Sequence, residues 1–293
     1  MSDAWKILRS AVQGYIANSA LSRGAAMSFY AVTSLTPVLL IVVAVAGIAF
    51  GQDSVRDGLI QEIVGILGQQ SGELVKSMLA KSSDPQTGTL ATIFGIVMLL
   101  VTASGVFGEM QAALNATWKT KAPDEPFFSM IRGRATSLGL VGALGFLLMV
   151  SLAASTGLSA LAEYLGSKNG LAPLILSTIN TLVSIALFTA LFAAIYKVLP
   201  DTPIAWRDVR TGAFLTALMF TAGKSMIGWY LGTTATNSGN GAAGALIVIL
   251  LWTYYSAQIF LFGSEVTKAI ADTRLETESA RRPQISQRVQ SAR

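Results

Sequence analysis

The chain has 293 residues, of which 52% are hydrophobic and only 13% are charged, and it contains neither cysteine nor histidine. Soluble domains carry about one quarter charged residues, so this composition predicts a membrane protein. The two missing residue types exclude disulfides, thiol nucleophiles, imidazole metal ligands and Ser-His or Cys-His catalytic pairs. We therefore predict no metal and no cofactor.

In chain order, residues 1–24 are amphipathic and basic and lack the features of a removable signal peptide. A membrane-spanning helix needs roughly 20 mostly apolar residues. Six segments qualify, at about 25–50, 89–114, 135–162, 172–196, 209–231 and 241–270. The sequence thus predicts an all-α, polytopic membrane protein with a bundle of six transmembrane helices over 25–270.

Two segments outside the spans also carry patterns. Between 51 and 88, apolar residues recur at helical spacing among charged ones, which predicts two short amphipathic helices in the first external loop. We expect them on the outer membrane face or capping the bundle, and a solvated hairpin that packs on itself is the alternative. Residues 271–293 are polar and lack aromatic residues, which predicts a disordered, basic cytoplasmic tail.

The distribution of Lys and Arg sets the orientation. Sixteen of the 21 basic residues fall at the two termini or in the second and fourth loops, four fall on the other side, and Lys224 lies within a span. Because positive charge marks cytoplasmic loops, both termini are predicted to be cytoplasmic. The net charge of +5 is then mostly a topology signal, and no nucleic-acid partner is predicted.

Three ionisable residues lie inside predicted spans, namely Glu109, Lys224 and Glu265. Such residues cost about 2.5–3.5 kcal/mol to insert and are candidates for function by default. Lys224 precedes Leu231, the outer end of its span, by seven residues, or about 10 Å. We interpret it as a cation facing a polar cavity open to the outside, with Tyr230 beside it at the interface. A lysine that snorkels to the outer headgroups is the alternative.

Glu109 and Glu265 lie near the inner ends of the second and sixth spans. They form structural ion pairs, or they bind a proton or cation in turn. The basic residues expected near them at the inner edge are Arg23, Arg132, Arg134 and Lys268.

The first span contains SFYAVTSLTPVLL, in which Ser28, Ser34 and Thr36 precede Pro37. Proline has no N–H, so the carbonyl of Thr33 loses its helical partner and nearby hydroxyls can satisfy freed backbone groups. We predict a kinked or broken helix whose hydroxyls face the bundle interior. Broken helices often mark the substrate site of transporters, and a packing kink without a ligand is the alternative.

Four motifs together resemble the YihY/BrkB family of bacterial inner-membrane proteins: GAAMSFYAVTSLTPVLL, KVLPD, GKSMIGWYLG and GAAGALIVILLWTYYSAQIFLFGSEVTKA. The resemblance runs from about Trp5 to Ala271. Ser264 stands where the family more often has alanine. The resemblance implies a six-helix inner-membrane protein linked to envelope integrity and serum resistance, with lipid or solute transport proposed.

Members of this family are widely labelled ribonuclease BN. The nuclease with that activity depends on a histidine-rich zinc site, and this chain has no histidine. The sequence therefore argues against a ribonuclease.

The predicted function is a transporter or flippase-like permease for an anionic lipid or solute, in which Lys224 and the break at Pro37 line an outward cavity. The main alternative is a non-transporting membrane scaffold for envelope assembly. A hydrolase in which Lys224 activates Ser28 or Ser34 would need a deprotonated lysine within hydrogen-bond reach, and we predict no enzyme. The expected partners are membrane lipids and the substrate, and a homo-oligomer is left open.

Overall fold

The computed structural model describes residues 3–82, 105–120, 172–234 and 241–291. Within these ranges it contains eight helices and no strand. They are α1 (Asp3–Ala17), α2 (Ala20–Phe50), α3 (Gln52–Leu67), α4 (Gln69–Ser82), α5 (105–117), α6 (Ala172–Val198), α7 (Trp206–Thr234) and α8 (Gly241–Ser291).

Four of the six predicted spans lie within continuous helices, namely α2, α6, α7 and α8. Of the second predicted span only 105–114 is described, and it is helical; the third, 135–162, lies outside the described residues. Two stretches of the described chain are long and apolar enough to cross a membrane, Thr178–Val198 with a mean hydropathy of 2.0 and Ala243–Ser279 with 1.9. The count of six spans stays a prediction.

Helices α3 and α4 form a hairpin that follows α2 after a sharp reversal. The reversals on either side of α3 occur at Gly51 and Gly68, whose φ angles of 82° and 83° are readily adopted only by glycine. Each of these glycines donates its N–H to the carbonyl four residues earlier, at Gly47 and Val64. The chain can therefore leave α2, double back along it, and turn again within a few residues.

The two predicted amphipathic helices are present, and they pack against α2; their position relative to the membrane face stays a prediction. Leu39 and Val43 of α2 form a buried cluster with Val55 of α3 and Val75 and Leu79 of α4. The hairpin thus lies alongside α2 because its apolar faces match the apolar side of a spanning helix. A pattern of apolar residues identifies such a face without naming the surface that covers it.

The tip of this hairpin reaches far along the bundle. Leu67, at the end of α3, forms a second buried cluster with Ile249 of α8, against which Val32 of α2 and Trp252 of α8 pack. Val32 lies 18 residues before Phe50, so the tip is about 27 Å from the C-terminal end of α2 at 1.5 Å per residue.

The largest core lies at the opposite end, where α2, α5, α6, α7 and α8 meet. The largest of its fully buried side chains is that of Tyr196 in α6, which is 1% exposed. The hydroxyl of Tyr196 donates to the carbonyl oxygen of Phe260 at 2.7 Å and lies 3.2 Å from Oγ1 of Thr216. The polar tip of the tyrosine is therefore satisfied inside an apolar core, as burial requires.

Helix α1 packs across the same end, against α8. Ala11 is completely buried and lies with Val266 and Ala269 of α8, and Ile7 of α1 packs against this cluster. The amphipathic segment predicted at the N-terminus is therefore a helix with a fixed position on the bundle.

Helix α8 differs from its prediction, because it continues through Ser291 rather than ending near 270. Its extension is held by charges: Arg274 Nη2 lies 2.9 Å from Oδ2 of the buried Asp208, and Arg207 pairs with Glu278 at 3.3 Å. These partners lie at the start of α7, about 70 residues earlier in the chain. The composition of the tail predicted disorder, because it gives no information about these distant partners.

Close contact between α7 and α8 depends on glycine. A Cβ added at Gly212 would lie 1.7 Å from Oγ1 and 3.0 Å from Cα of Thr267, whereas one added at Gly108 of α5 would meet nothing within 4 Å. Gly212→Ala should therefore force the two helices apart and destabilise the fold by about 1–3 kcal/mol. Gly108→Ala, the matched control, should be neutral or stabilising by up to about 1 kcal/mol because alanine favours the helix.

Thermal unfolding of the purified full-length variants in detergent measures both effects. Equal melting temperatures for Gly212→Ala and the parent would show that α7 and α8 do not approach as closely as described.

Candidate functional site

The cation predicted to anchor a substrate lies in a helix, but its surroundings are outside the described side chains. Lys224 and Tyr230 fall within α7, and Thr36 and Pro37 fall within α2. The side chains of these four residues are not among those described. The outward cavity around Lys224 stays a prediction.

The hydroxyls of the first span are satisfied within their own helix. Ser28 and Ser34 are 3% and 4% exposed, and their Oγ atoms donate to the carbonyls of Ala25 at 2.8 Å and Ala31 at 3.1 Å. Helix α2 is not interrupted at Pro37. The predicted break is therefore absent, whereas a kink at Pro37 stays a prediction. Bonds of this kind, from a hydroxyl to a carbonyl one turn earlier, are the usual way a serine is accommodated inside a helix.

One of the two acidic residues pairs with an expected basic residue. Arg23 Nη1 of α2 lies 3.1 Å from Oε1 of Glu109 in α5, and both side chains are about one quarter to one third exposed. The Nε atom of Arg23 also donates to the main-chain carbonyl of Asn18 at 3.1 Å. The guanidinium thus ties α5 to the turn between α1 and α2.

The other acidic residue has a different environment. Glu265 of α8 is only 5% exposed, and its Oε1 accepts from Asn18 Nδ2 at 2.7 Å and from Thr117 Oγ1 at 2.8 Å. Lys268, which was expected nearby, pairs instead with Asp272 at 2.6 Å. Within the described part of the chain, the hydrogen-bond donors to Glu265 are therefore neutral.

The backbone around Glu265 is arranged to admit the carboxylate. A Cβ added at Gly14 of α1 would lie 2.2 Å from its Oε2, so a larger residue there would displace the carboxylate from its present position. Ser19, in the turn that follows α1, has a positive φ of 53°. This turn points the Asn18 amide at the carboxylate and its carbonyl at Arg23.

These contacts form one connected set, which we call the inner polar network. Its members are Asn18, Arg23, Glu109, Thr117, Ser264 and Glu265, with Ser264 Oγ lying 3.3 Å from Thr117 Oγ1. The network connects both predicted carboxylates through a neutral amide and a guanidinium. In the described ranges no group of three or more acidic, histidine or cysteine side chains could hold a metal ion.

A second polar contact fastens α1 to α8. The hydroxyl of Tyr15 donates to Oε1 of Gln258, and Nε2 of Gln258 lies 3.5 Å from the carbonyl of Leu21. Burial raises the pKa of the Tyr15 hydroxyl, and Tyr254 raises it further. Tyr15 is therefore a neutral donor throughout the physiological range.

Sequence reasoning missed the neutral members of these contacts. Gln258 is a polar side chain inside the predicted sixth span, and a search for amides as well as ionisable groups would have found it. Asn18 and Thr117 lie outside the predicted spans, at the ends of helices, where polar residues are common. Nothing in the sequence distinguishes them.

The KVLPD motif has a similar structural role. Asp201 accepts from Gln111 at 3.0 Å and from Asn115 at 2.6 Å, and its N–H donates to Oδ1 of Asn115 at 3.0 Å. The loop between α6 and α7 is thereby held to α5 at the solvent-exposed edge of the inner end.

The surface of the α3–α4 hairpin is unlike that of the longer helices. Large hydrophobic side chains are exposed on α1, α2, α6, α7 and α8, whereas α3 and α4 expose none among their described side chains. The exposed residues that we call the polar face of the hairpin are Asp57, Gln61, Gln69, Glu73 and Lys76. This face runs along the whole hairpin, including the part near its deep tip.

Comparison with known proteins identifies relatives along nearly the whole chain. Residues 11–288 match the family described as "Virulence factor BrkB". Proteins named "UPF0761 membrane protein" are similar: one from Alkalilimnicola ehrlichii is 25% identical over 87% of this chain, one from Alcanivorax borkumensis is 30% identical over 62%, and one from Pseudomonas paraeruginosa is 24% identical over 94%.

The chain spans 56%, 41% and 65% of the lengths of these three relatives. No solved structure matches. The family match covers far more than half of the 293 residues and agrees with the resemblance in the sequence motifs, so the chain belongs to the YihY/BrkB family of membrane proteins.

Proposed function

We propose that this protein is a transporter or flippase-like permease of the bacterial inner membrane for an anionic lipid or solute. In this proposal a water-filled vestibule opens to the outer side and is lined by the polar face of the hairpin. Both termini are cytoplasmic, and no chemical step is catalysed. The observation that carries the proposal is the exposed polar face of the hairpin, which packs along α2.

The depth follows from the length and packing of the hairpin. Helix α3 has 16 residues, or about 24 Å, and its tip packs near Val32, about 27 Å below the outer end of α2. The hydrocarbon core of a bilayer is about 30 Å thick. Taking Phe50, the predicted outer end of the first span, as the outer boundary of the hydrocarbon core, we infer that the hairpin extends through most of the membrane.

Exposing a charged side chain to lipid at that depth is energetically unfavourable. Glu73 lies five residues after Gly68, close to the deep tip, and it is exposed. A charge facing lipid there costs several kcal/mol, so such residues normally face water or the bundle interior. The described exposed side chains between Phe214 and Met226 of α7 and between Leu246 and Leu251 of α8 are apolar, as contact with lipid requires. The difference between the polar exposed face of the hairpin and the apolar exposed faces of the longer helices supports an aqueous space beside the hairpin.

The predicted cationic anchor lies in the same half of the molecule. Helix α3 contacts α7, and Lys224 is in the outer half of α7 under the predicted orientation. An ammonium group near the vestibule would attract a phosphate or carboxylate, and its charge would be the feature that selects an anion.

Among the described residues, the end of the bundle opposite the α2–α3 turn is densely packed, which supports the same interpretation. The large core and the inner polar network connect α1, α2, α5 and α8 there. Access from the outer side combined with a closed inner side is what a transporter open to the outside requires.

If the vestibule exists, side chains on the polar face of the hairpin are accessible to water from outside the cell. Because the chain has no native cysteine, Gln61→Cys and Glu73→Cys each introduce a single thiol on the polar face. In intact cells both should react with a membrane-impermeant maleimide added outside. The control is Leu182→Cys on α6, which is 60% exposed but apolar; it should stay unlabelled because lipid excludes the reagent. Protection of both hairpin thiols would contradict a vestibule.

If Lys224 is the anion-binding residue, its positive charge should matter more for transport than the length of its side chain. Lys224→Met should insert and fold at least as well as the parent, since it removes a charge from the membrane, but should lose transport. Lys224→Arg should retain part of it. Vesicles containing the protein and NBD-labelled phosphatidylglycerol, with dithionite added outside to measure lipid exchange between leaflets, test the lipid form of this claim.

Two results, one from this assay alone and one from this assay together with the envelope phenotype of cells, would count against the proposal. Equal exchange by the parent and Lys224→Met would show that the lysine only snorkels to the headgroups. If the parent accelerates no exchange of the anionic lipid and Lys224→Met still supports a normal envelope, a scaffold that assembles the envelope without transport would be favoured.

A further inference from the structure

Helix α1 has a second apolar face that the bundle does not cover. Ile7 and Ala11 face α8. On a different side, Trp5, Leu8, Val12 and Ile16 are 55%, 44%, 41% and 72% exposed. Four large apolar side chains on one helix form a contiguous exposed surface, which soluble proteins rarely leave in water.

The spacing of these residues makes them one stripe. They recur at intervals of three, four and four positions, which places them within a sector of about 80° at 100° per residue. Ser10 and Lys6 lie outside that sector and are exposed. We call the four residues the outer stripe of α1.

The outer stripe has a fixed direction relative to the bundle. Tyr15 bonds Gln258 and Asn18 bonds Glu265, so the C-terminal half of α1 is held on α8 at two points. Ala11 is also completely buried against α8. The helix cannot rotate to hide the stripe without breaking these contacts.

We propose that the outer stripe lies in the boundary between headgroups and acyl chains of the inner leaflet, and that Lys6 and Arg9 bind the phosphates of anionic lipids there. The apolar surface is continuous with the adjoining start of α2, where Leu21 is 59% exposed. Lys6 and Arg9 are both exposed beside it, and Asp3 is the sole acidic residue in α1. An apolar stripe bordered by basic residues is the pattern of a helix that lies in an anionic membrane surface.

An anionic membrane surface fits the outer stripe better than a second copy of the chain does. In a parallel pairing of α1 from two copies, Lys6 and Arg9 of the two molecules would lie near one another, where like charges repel. An anionic lipid surface neutralises the same charges. The inference does not depend on the proposed transport, because it concerns only where α1 lies.

Single-cysteine variants of the full-length chain test the position of the stripe. The fluorophore NBD is attached at Leu8→Cys or Ile16→Cys, with Ser10→Cys as the control on another face of the same helix, and the protein is placed in vesicles of phosphatidylcholine and phosphatidylglycerol. Lipids that carry a spin label near the headgroup end of the acyl chain should quench NBD at residues 8 and 16 at least about twofold more than at residue 10.

The basic residues have their own test in the same vesicles. Replacing both Lys6 and Arg9 by glutamine should weaken the quenching at residue 8 in vesicles with phosphatidylglycerol and leave it unchanged in pure phosphatidylcholine. Equal quenching at residues 8, 10 and 16 would overturn the proposal. Oxidative cross-linking of Leu8→Cys into dimers without quenching by lipid would also overturn it, in favour of a second copy.

Discussion

The buried carboxylate of Glu265 constrains the whole inner end of this protein. A carboxylate that is 5% exposed loses nearly all its hydration, which is costly unless hydrogen bonds replace the water. Asn18 and Thr117 supply those bonds from two other helical segments, and Gly14 leaves the space. The turn after α1, the end of α5 and the middle of α8 therefore have one arrangement that satisfies the carboxylate, and Arg23 extends it to Glu109.

The two ends of the molecule differ in how they treat polar groups. At the inner end, polar side chains are buried and bonded to one another between helices. At the other end the α3–α4 hairpin turns its apolar residues towards α2 and α8 and leaves Asp57, Glu73 and Lys76 exposed. Among the described residues, the buried polar contacts at one end and the exposed polar face of the hairpin are the observations behind the proposed transport.

Much of the helical framework was predictable from the sequence, because long apolar runs and amphipathic periods depend on neighbours in the chain. Helices α2, α6 and α7, the start of α8 and the two hairpin helices follow from such local patterns. Three features did not. The depth of the hairpin depends on what its apolar face contacts, the extension of α8 depends on Asp208 and Arg207 far away in the chain, and the partners of Glu265 are neutral residues with no special pattern.

A double-mutant cycle tests most directly whether Glu265 holds α1 to α8. Glu265→Leu should destabilise the fold by about 1–3 kcal/mol, because it leaves the donors of Asn18 and Thr117 without an acceptor. If Asn18 and Glu265 act together, Asn18→Ala should lower the free energy of unfolding less in the Glu265→Leu background than in the parent. We expect the difference to be at least about 1 kcal/mol. Glu73→Leu, on the hairpin, serves as the distant control and should combine additively. Additive losses for Asn18→Ala and Glu265→Leu, measured by unfolding of the full-length chain, would contradict the account.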